Sequence, residues 1–323
     1  MAVVCLLFLY TFLAVQVIKW MPPRYAMTGA SISRVANKLI SNEIGYSRVN
    51  MSMMLSGASW ALLAALPLAR RWWQRTALLV LFPAVVYAQA LTGGRMGYIT
   101  WGAIGLILCM LRWRKRLILV PLVAIAIVIA LPGVAERTFE GFGNSDVAGT
   151  ESTDVYAVTA GRNLAWPRVV EKIEESPLVG FGRLAMERTG LAGQIQVEFK
   201  ERFAHPHNAY LELLLDNGMV GFALIMPFYV LVVTRSTRLF LDRRDATCSA
   251  IGGITLSLVL AFLLASMGSQ TFYPREGAIG MWAAIGLMLR VHLLRSQARV
   301  HLAPTPLTYG TAPPGAGVLA VSD

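Results

Sequence analysis

The chain has 323 residues, of which 56% are hydrophobic and only 15% are charged. A soluble domain carries about 25% charged residues, so this composition indicates a membrane protein. The net charge of +11 would suggest nucleic-acid binding in a soluble protein. In a membrane protein, basic loops that face anionic lipid headgroups account for most of the net positive charge, so no nucleic-acid partner is expected. The three cysteines are scattered and indicate neither a disulfide framework nor a metal site.

Long apolar runs predict an all-α polytopic fold, because a helix needs about 17–25 mostly apolar residues to cross a bilayer. We expect about eight transmembrane helices, five within residues 1–132 and three within 207–294. The first run lacks a charged start and an Ala-x-Ala-like cleavage site, which favours a retained span over a signal peptide. The predicted spans are 2–19, 52–69, 76–92, 97–111, 117–132, 208–234, 249–268 and 277–294.

Basic residues are divided unevenly between the two sides of these spans. One set of turns, within 70–75, 112–116, 235–244 and the tail from 290, holds 14 lysines and arginines. The alternate short connections hold seven: Lys19, Arg24, Arg34, Lys38, Arg48, Arg95 and Arg275. The positive-inside rule therefore predicts that the first set and both termini are cytoplasmic.

Two external segments are too long to be simple turns. Segment 20–50 contains an amphipathic stretch near 32–40, which predicts a short helix on the outer membrane surface. Segment 133–206 is a large external loop with 11 of the 18 acidic residues. Its pattern predicts a helix over Arg162–Glu175, and a loop of this length is usually functional. At the other end, 295–323 is predicted to be a disordered cytoplasmic tail.

A histidine pair lies where the large loop meets the sixth span, in His205-Pro206-His207. Imidazole is suited to acid–base chemistry near neutral pH, and an ionisable group at the membrane edge indicates a functional site. The alternative is an interfacial helix-start residue for His207 and a plain loop residue for His205. A metal site is a weak idea, because His292 and His301 lie on the opposite side, so no metal is expected.

Arginines on the outer side are the second set of candidates. Arg95 follows a Gly-Gly pair and Arg162 opens the loop helix, where backbone donors also favour an anion. The alternatives are a snorkelling side chain for Arg95 and a solvated helix-start charge for Arg162. Arg183 is a weaker candidate. Glu212 and Asp216 share one helix face and could orient His207 or a donor amide, or could pack as neutral groups.

These motifs together resemble the O-antigen ligase and O-antigen polymerase superfamily. The resemblance covers about 45–290, with the motifs in order and on one predicted side of the membrane. It is carried by Leu91-Thr92-Gly93-Gly94-Arg95, by Gly161-Arg162 with Trp166, by Ser176-Pro177-Leu178-Val179-Gly180-Phe181-Gly182, and by His207-Asn208-x-x-Leu211 followed by Gly218. Two features depart from the family pattern: Gly94 stands where a serine is usual, and one span, rather than several, precedes 45–60.

The resemblance implies a GT-C-like membrane glycosyltransferase without a cofactor. Such an enzyme moves a glycan from undecaprenyl diphosphate to an acceptor glycan or lipid A-core, at the periplasmic face of the bacterial inner membrane. It implies that His207 is the catalytic base and that Arg95 and Arg162 hold the diphosphate. We add Asn208, His205 and Arg183 as further substrate-binding candidates.

Three functions remain open at this point. The first is a ligase for a finished polysaccharide, and the second is a polymerase that extends a lipid-linked chain by repeat units. The third is a non-catalytic transport or assembly subunit that uses the arginines for anion passage. A transporter places ionisable groups at mid-membrane, whereas these candidates cluster at the outer edge, which favours surface chemistry.

Overall fold

A computed structural model of the protein describes residues 1–24, 32–138, 144–145, 151–152, 159, 161–200, 203–268 and 271–302. The described helices are α1 (Ala2–Trp20), α2 (Ile32–Leu39), α3 (Arg48–Ala64), α4 (Trp72–Leu91), α5 (Arg95–Leu111), α6 (Leu119–Ala130), α7 (Pro132–Thr138), α8 (Arg162–Glu175), α9 (Ala185–Arg188), α10 (Leu191–Phe199), α11 (Ala209–Leu241), α12 (Ala246–Ala265) and α13 (Ile279–Leu302). Short helical turns cover Ile40–Ile44, Leu66–Leu68, Arg114–Arg116 and Glu276–Ala278. A two-residue antiparallel pair joins β1 (Asn144–Ser145) to β2 (Glu151–Ser152). The predicted all-α polytopic class is confirmed.

Six helical segments in the described part of the chain are long and apolar enough to cross a membrane. They are Ala2–Trp20, Arg48–Leu68, Trp72–Leu91, Ala209–Leu241, Ala246–Ala265 and Glu276–Gln297. The predicted count of eight is therefore two higher. The other two predicted spans correspond to α5, with 17 residues, and α6, with 12. At 1.5 Å per residue, α6 reaches only about 18 Å, which is well short of a hydrocarbon core about 30 Å thick.

The helices α3 and α12 form the centre of the bundle. Both are buried along most of their length, including small polar residues such as Ser56 and Ser257. They approach closely because small residues meet: a Cβ added at Gly57 would lie 2.8 Å from the Cβ of Ala261, and one at Gly253 would lie 2.7 Å from that of Ala64. Close approach through small residues is the usual way in which membrane helices pack.

The two ends of the bundle carry the two predicted sets of basic residues. At one end Arg112 donates to the main-chain oxygens of Phe240 and Asp242, the second at 3.0 Å. Arg295 forms an ion pair of 2.6 Å with Asp242 at the same end. The opposite end carries the starts of α3, α5 and α11. The assignment of these ends to cytoplasm and periplasm stays a prediction.

The large loop contains a small folded unit with a core of its own. Helix α8 spans Arg162–Glu175, as predicted, and packs with α9, α10 and the start of α11. Its core is separate from that of the membrane bundle and consists of Ala165, Val169, Ala185, Met186, Leu191, Ala192, Ile195, Phe203 and Leu215. Because Leu215 belongs to α11, the first turns of that helix extend out of the bundle into this unit. We refer to it below as the loop unit.

The remaining predicted segments are partly described. Helix α2 lies within segment 20–50; it buries Ala36 and exposes Arg34 and Lys38, so it is amphipathic, and its place on the membrane surface stays a prediction. The predicted disordered tail is wrong for residues 295–302, which continue α13. The ion pair of Arg295 with Asp242 fixes this continuation to the end of α11. Residues 303–323 lie outside the described residues.

Candidate functional site

The histidine turn is held in place from three directions. The indole Nε1 of Trp166, in α8, donates to the carbonyl oxygen of Pro206 at 2.8 Å. The backbone N–H of His207 donates to Nδ1 of His205 at 3.3 Å, and the two rings lie 4.1 Å apart. The N–H of Ala209 donates to the carbonyl oxygen of Ser266 at 2.8 Å, just past the end of α12. The turn therefore joins the loop unit to the bundle.

His207 has an unusual backbone conformation. Its φ is +53°, in the left-handed region, which costs roughly 1–2 kcal/mol for a residue with a Cβ. Asn208 then caps α11, since its side-chain oxygen accepts from the N–H groups of Tyr210 and Leu211 at 3.0 and 3.3 Å. The cap uses the Asn208 oxygen, so its amide nitrogen is the group that could serve a substrate. Strain at a residue fixed on both sides is typical of a functional position.

Both histidines are neutral at neutral pH. The pKa of His207 is lowered to about 4, mainly by burial and in smaller part by the nearby His205 and Arg162. Burial also lowers the pKa of His205, assisted by the charges of Arg275 and Arg162. A neutral imidazole can accept a proton, which a general base must do.

Three arginines, each at the start of a helix, form a chain of neighbouring charges that leads to this turn through Arg162. Arg95 lies within electrostatic range of both Arg48 and Arg162, and Arg162 acts on both histidines. Burial lowers the pKa of Arg162, and the charge of Arg95 adds to this effect. The Nε atoms of Arg48 and Arg162 are buried without a hydrogen-bond partner among the described residues. Buried cationic donors at helix N-termini form a site for an anion.

Arg48 also supports the segment that carries Arg95. Its Nη1 donates to the carbonyl oxygen of Gly93 at 2.9 Å. Gly93 has a φ of +66°, so this turn requires a glycine. A Cβ added at Gly94 would lie 2.6 Å from Oγ of Ser52, which occupies the space of a side chain at that position. A side chain at position 94 would therefore require Ser52 to move.

For the acidic pair on α11, the structure argues against one of the alternatives, the orientation of His207 by Asp216. Asp216 is buried and accepts from the N–H of Ala185 at 3.1 Å and from the hydroxyl of Tyr273 at 2.7 Å, so it does not orient His207. Burial and this hydrogen bond raise the pKa of Tyr273 to about 12. Arg183 lies over the Tyr273 ring at 5.0 Å, and Glu212 is half-buried beside Thr271. These residues therefore form a wall beside the histidine turn.

Helix α11 is broken at Gly218, and the loop unit binds into the break. Gly218 has φ +62° and ψ −166°, a conformation almost confined to glycine. The N–H groups of Phe181 and Gly182 donate to the carbonyl oxygens of Leu215 and Asp216 at 2.9 and 2.8 Å. In return, the N–H groups after the break donate to the carbonyl oxygens of Pro177 and Leu178 at 2.8 and 3.0 Å. Two separate sequence motifs thus form one joint.

The structure brings His205, His207, Arg95 and Arg162 together and places Arg183 on the adjoining wall. Sequence reasoning missed Arg48 and Arg275, which were counted only as loop charges. The available signal was an excess of outer-side arginines that topology does not require. Among the described residues, no group of three or more His, Cys, Asp or Glu side chains could hold a metal ion.

Fold and site define a polytopic α-helical membrane protein with an arginine cluster beside a neutral histidine pair at one end of its bundle. The model of the O-antigen ligase family matches residues 77–226. This match covers slightly under half of the chain and supports the resemblance to the O-antigen ligase and polymerase superfamily that the motifs predicted. It includes Arg95, Arg162, His207 and Gly218. No curated protein matches the chain.

Proposed function

We propose that the protein is an O-antigen ligase-like glycosyltransferase of surface polysaccharide biosynthesis. It moves a glycan from undecaprenyl diphosphate to an acceptor hydroxyl at the periplasmic face of the inner membrane. The observation that carries the proposal is that Nε of Arg48 and Nε of Arg162 are buried without a partner among the described residues, while Arg162 lies beside two neutral histidines. A diphosphate supplies negatively charged oxygens that can accept hydrogen bonds from these donors. The acceptor hydroxyl supplies the proton that a neutral imidazole can take.

The arginines serve the leaving group. The planar guanidinium forks of Arg95 and Arg162 match phosphate oxygens and hold the diphosphate in two-point contact. As the bond between the sugar C1 and the diphosphate oxygen breaks, negative charge grows on that oxygen, and fixed cations stabilise it. Arg48 adds a third positive charge and fixes the turn before Arg95 through its bond to Gly93.

His207 serves the acceptor. It removes the hydroxyl proton while the acceptor oxygen attacks C1, so one C–O bond forms and one breaks, with inversion and without a covalent glycosyl-enzyme. Bound diphosphate offsets the charge of Arg162, which is one cause of the low pKa of His207. Donor binding therefore raises this pKa toward its ordinary range and makes the base stronger when it is needed. No divalent metal takes part in this proposal.

The position of the site fits a lipid-linked donor. Arg95 and His207 stand at the ends of apolar helices, so a polyprenyl chain can stay in the bilayer while its diphosphate reaches the cluster. The periplasmic side is part of the proposal. Cysteine labelling tests it: a cysteine at Ser145 should react with an impermeant reagent in intact cells, and one at Arg114 only after permeabilisation. The reverse pattern would refute this orientation.

A gene deletion tests the function and separates its two enzymatic forms. Accumulated full-length lipid-linked polymer indicates a ligase, whereas accumulated single repeats indicate a polymerase. Purified protein should then release undecaprenyl diphosphate from a lipid-linked donor when an acceptor is present. If deletion alters the surface glycan but the purified protein never consumes donor, a transport or assembly role replaces the enzymatic proposal.

A further inference from the structure

A second charged pocket lies at the end of the bundle opposite to the histidines. It encloses about 500 Å³ between the end of α3, the start of α4 and the turn after α5. The helix α11, whose start carries the histidine turn, reaches this pocket with Phe240 near its other end. Its 33 residues correspond to about 50 Å at 1.5 Å per residue. The pocket is therefore remote from the proposed catalytic site.

Three arginines line this pocket, and each is fixed without a carboxylate. Arg112 donates to main-chain oxygens of the α11 end, and Nε of Arg75 donates to the carbonyl oxygen of Ala69 at 3.1 Å. The guanidinium of Arg116 lies 5.7 Å from the ring centre of Trp113. No ion pair joins any of the three to a carboxylate in the part of the chain that the structure describes. Asp242 lies within electrostatic range of Arg112, but its carboxylate is ion-paired to Arg295, so the pocket keeps an excess of positive charge.

Apart from Ser249, the rest of the pocket wall is apolar, and it leads toward the bilayer. Leu63, Leu66 and Trp113 form its inner side. Leu79 lines it as well, and this residue is 53% exposed on the membrane-spanning helix α4. A ligand that fills the pocket therefore needs both an anionic head and an apolar chain. Free phosphate satisfies only the arginines, and a neutral lipid satisfies only the leucines.

We propose that this pocket binds an anionic phospholipid, with its phosphate on Arg75, Arg112 and Arg116 and an acyl chain along Leu79. The positive-inside rule accounts for basic residues at this end, but it does not require that they line one amphipathic pocket. Basic pockets between membrane helices are known sites for anionic headgroups. The bound lipid would join the ends of α3, α4, α5 and α11.

Native mass spectrometry of the purified full-length chain in detergent tests the proposal. The protein is titrated separately with phosphatidylglycerol, phosphatidylcholine and inorganic phosphate. We expect one phosphatidylglycerol to bind more tightly than phosphatidylcholine. Arg116→Gln and Arg75→Gln should each weaken it about fivefold, since one arginine near anionic lipid contributes about 1 kcal/mol. Arg116→Lys, which keeps the charge, should recover much of the binding.

Neighbouring arginines outside the pocket provide matched controls. Arg114→Gln removes the same charge from the same turn as Arg116, and Arg70→Gln removes one from the connection just before α4, whose first turn carries Arg75. Both side chains are exposed and neither lines the pocket, so binding should stay within twofold. Equal binding of the two lipids would overturn the proposal, as would equal losses in Arg114→Gln and Arg116→Gln. Displacement of the lipid by millimolar phosphate would instead identify a site for a soluble phosphate compound.

Discussion

Replacement of His207 by asparagine separates the chemistry of the imidazole from the geometry of its backbone. His207 has a φ of +53°, and asparagine is among the few residues that adopt this region readily. His207→Asn should therefore keep the turn, the cap by Asn208 and the bond from Trp166 to Pro206. Alanine would add backbone strain of roughly 1–2 kcal/mol and would confuse a loss of folding with a loss of catalysis.

The expected loss follows from the role of a general base. Such a group typically contributes about 10²–10⁴-fold in rate. At 1.36 kcal/mol for each factor of ten, this corresponds to about 2.7–5.4 kcal/mol of transition-state stabilisation. Donor affinity should change only a few-fold, because the arginines hold the diphosphate. The variant should thus bind lipid-linked donor and fail to turn it over.

The assay is release of undecaprenyl diphosphate by purified, detergent-solubilised protein, with EDTA present and donor binding measured in parallel. His205→Asn is the matched control. Its Nδ1 accepts from the N–H of His207, and the asparagine oxygen can take over this role, so we expect a milder loss. If activity is retained in His207→Asn but lost in His205→Asn, the base is His205 and the proposed assignment is wrong. Activity retained in both variants would refute the acid–base reasoning altogether.

Three further predictions follow from the same geometry. Arg95→Lys and Arg162→Lys should each lose most turnover, because lysine binds phosphate as a point charge and not through a planar fork. Near-normal transfer by both variants would mean that these arginines serve membrane topology or packing and do not bind the diphosphate. Activity should fall as pH drops through the pKa of His207, about 4 in the free protein, because protonation removes the base. Arg162→Gln removes a positive charge that lowers the pKa of His207. In the remaining activity of this variant, the rise of kcat/KM with pH should therefore occur at higher pH. An unchanged pH profile would contradict an electrostatic effect of Arg162 on His207. Gly218→Ala should lower Tm and expose the loop unit to protease, because the added Cβ would lie 2.3 Å from the main chain of Leu178. Gly286→Ala is the control, since the space around Gly286 is open, and it should change neither property.

The sequence was sufficient to predict the helical class, the loop helix Arg162–Glu175 and the candidates that meet at the histidine turn. These features depend on local patterns: apolar runs, a helix bounded by glycine and proline, and motifs at the ends of spans. Arg95, Arg162 and His207 are more than 40 residues apart in sequence. Their convergence was predictable because topology placed all three on one side of the membrane.

The features that sequence missed depend on long-range contacts. Arg48 was counted only as a loop charge, because nothing in its own segment reveals that it binds the turn at Gly93. Asp216 was considered as a partner of His207, but Tyr273 and Ala185 reach it through the fold. The predicted count of eight exceeds the six long helices in part because hydropathy measures apolar length and cannot show that α6 stops after 12 residues.

The joint at Gly218 explains why a glycine belongs to the histidine signature although it lies 11 residues away. The break in α11 accepts the loop unit, and Trp166 of that unit holds the histidine turn through Pro206. His207 and Arg162 are therefore fixed to each other through the loop unit. Arg48 and Arg95 belong to the bundle instead. The proposed site thus crosses the boundary between the two parts, so a lipid-linked donor held by both sets of arginines would also hold the loop unit against the bundle.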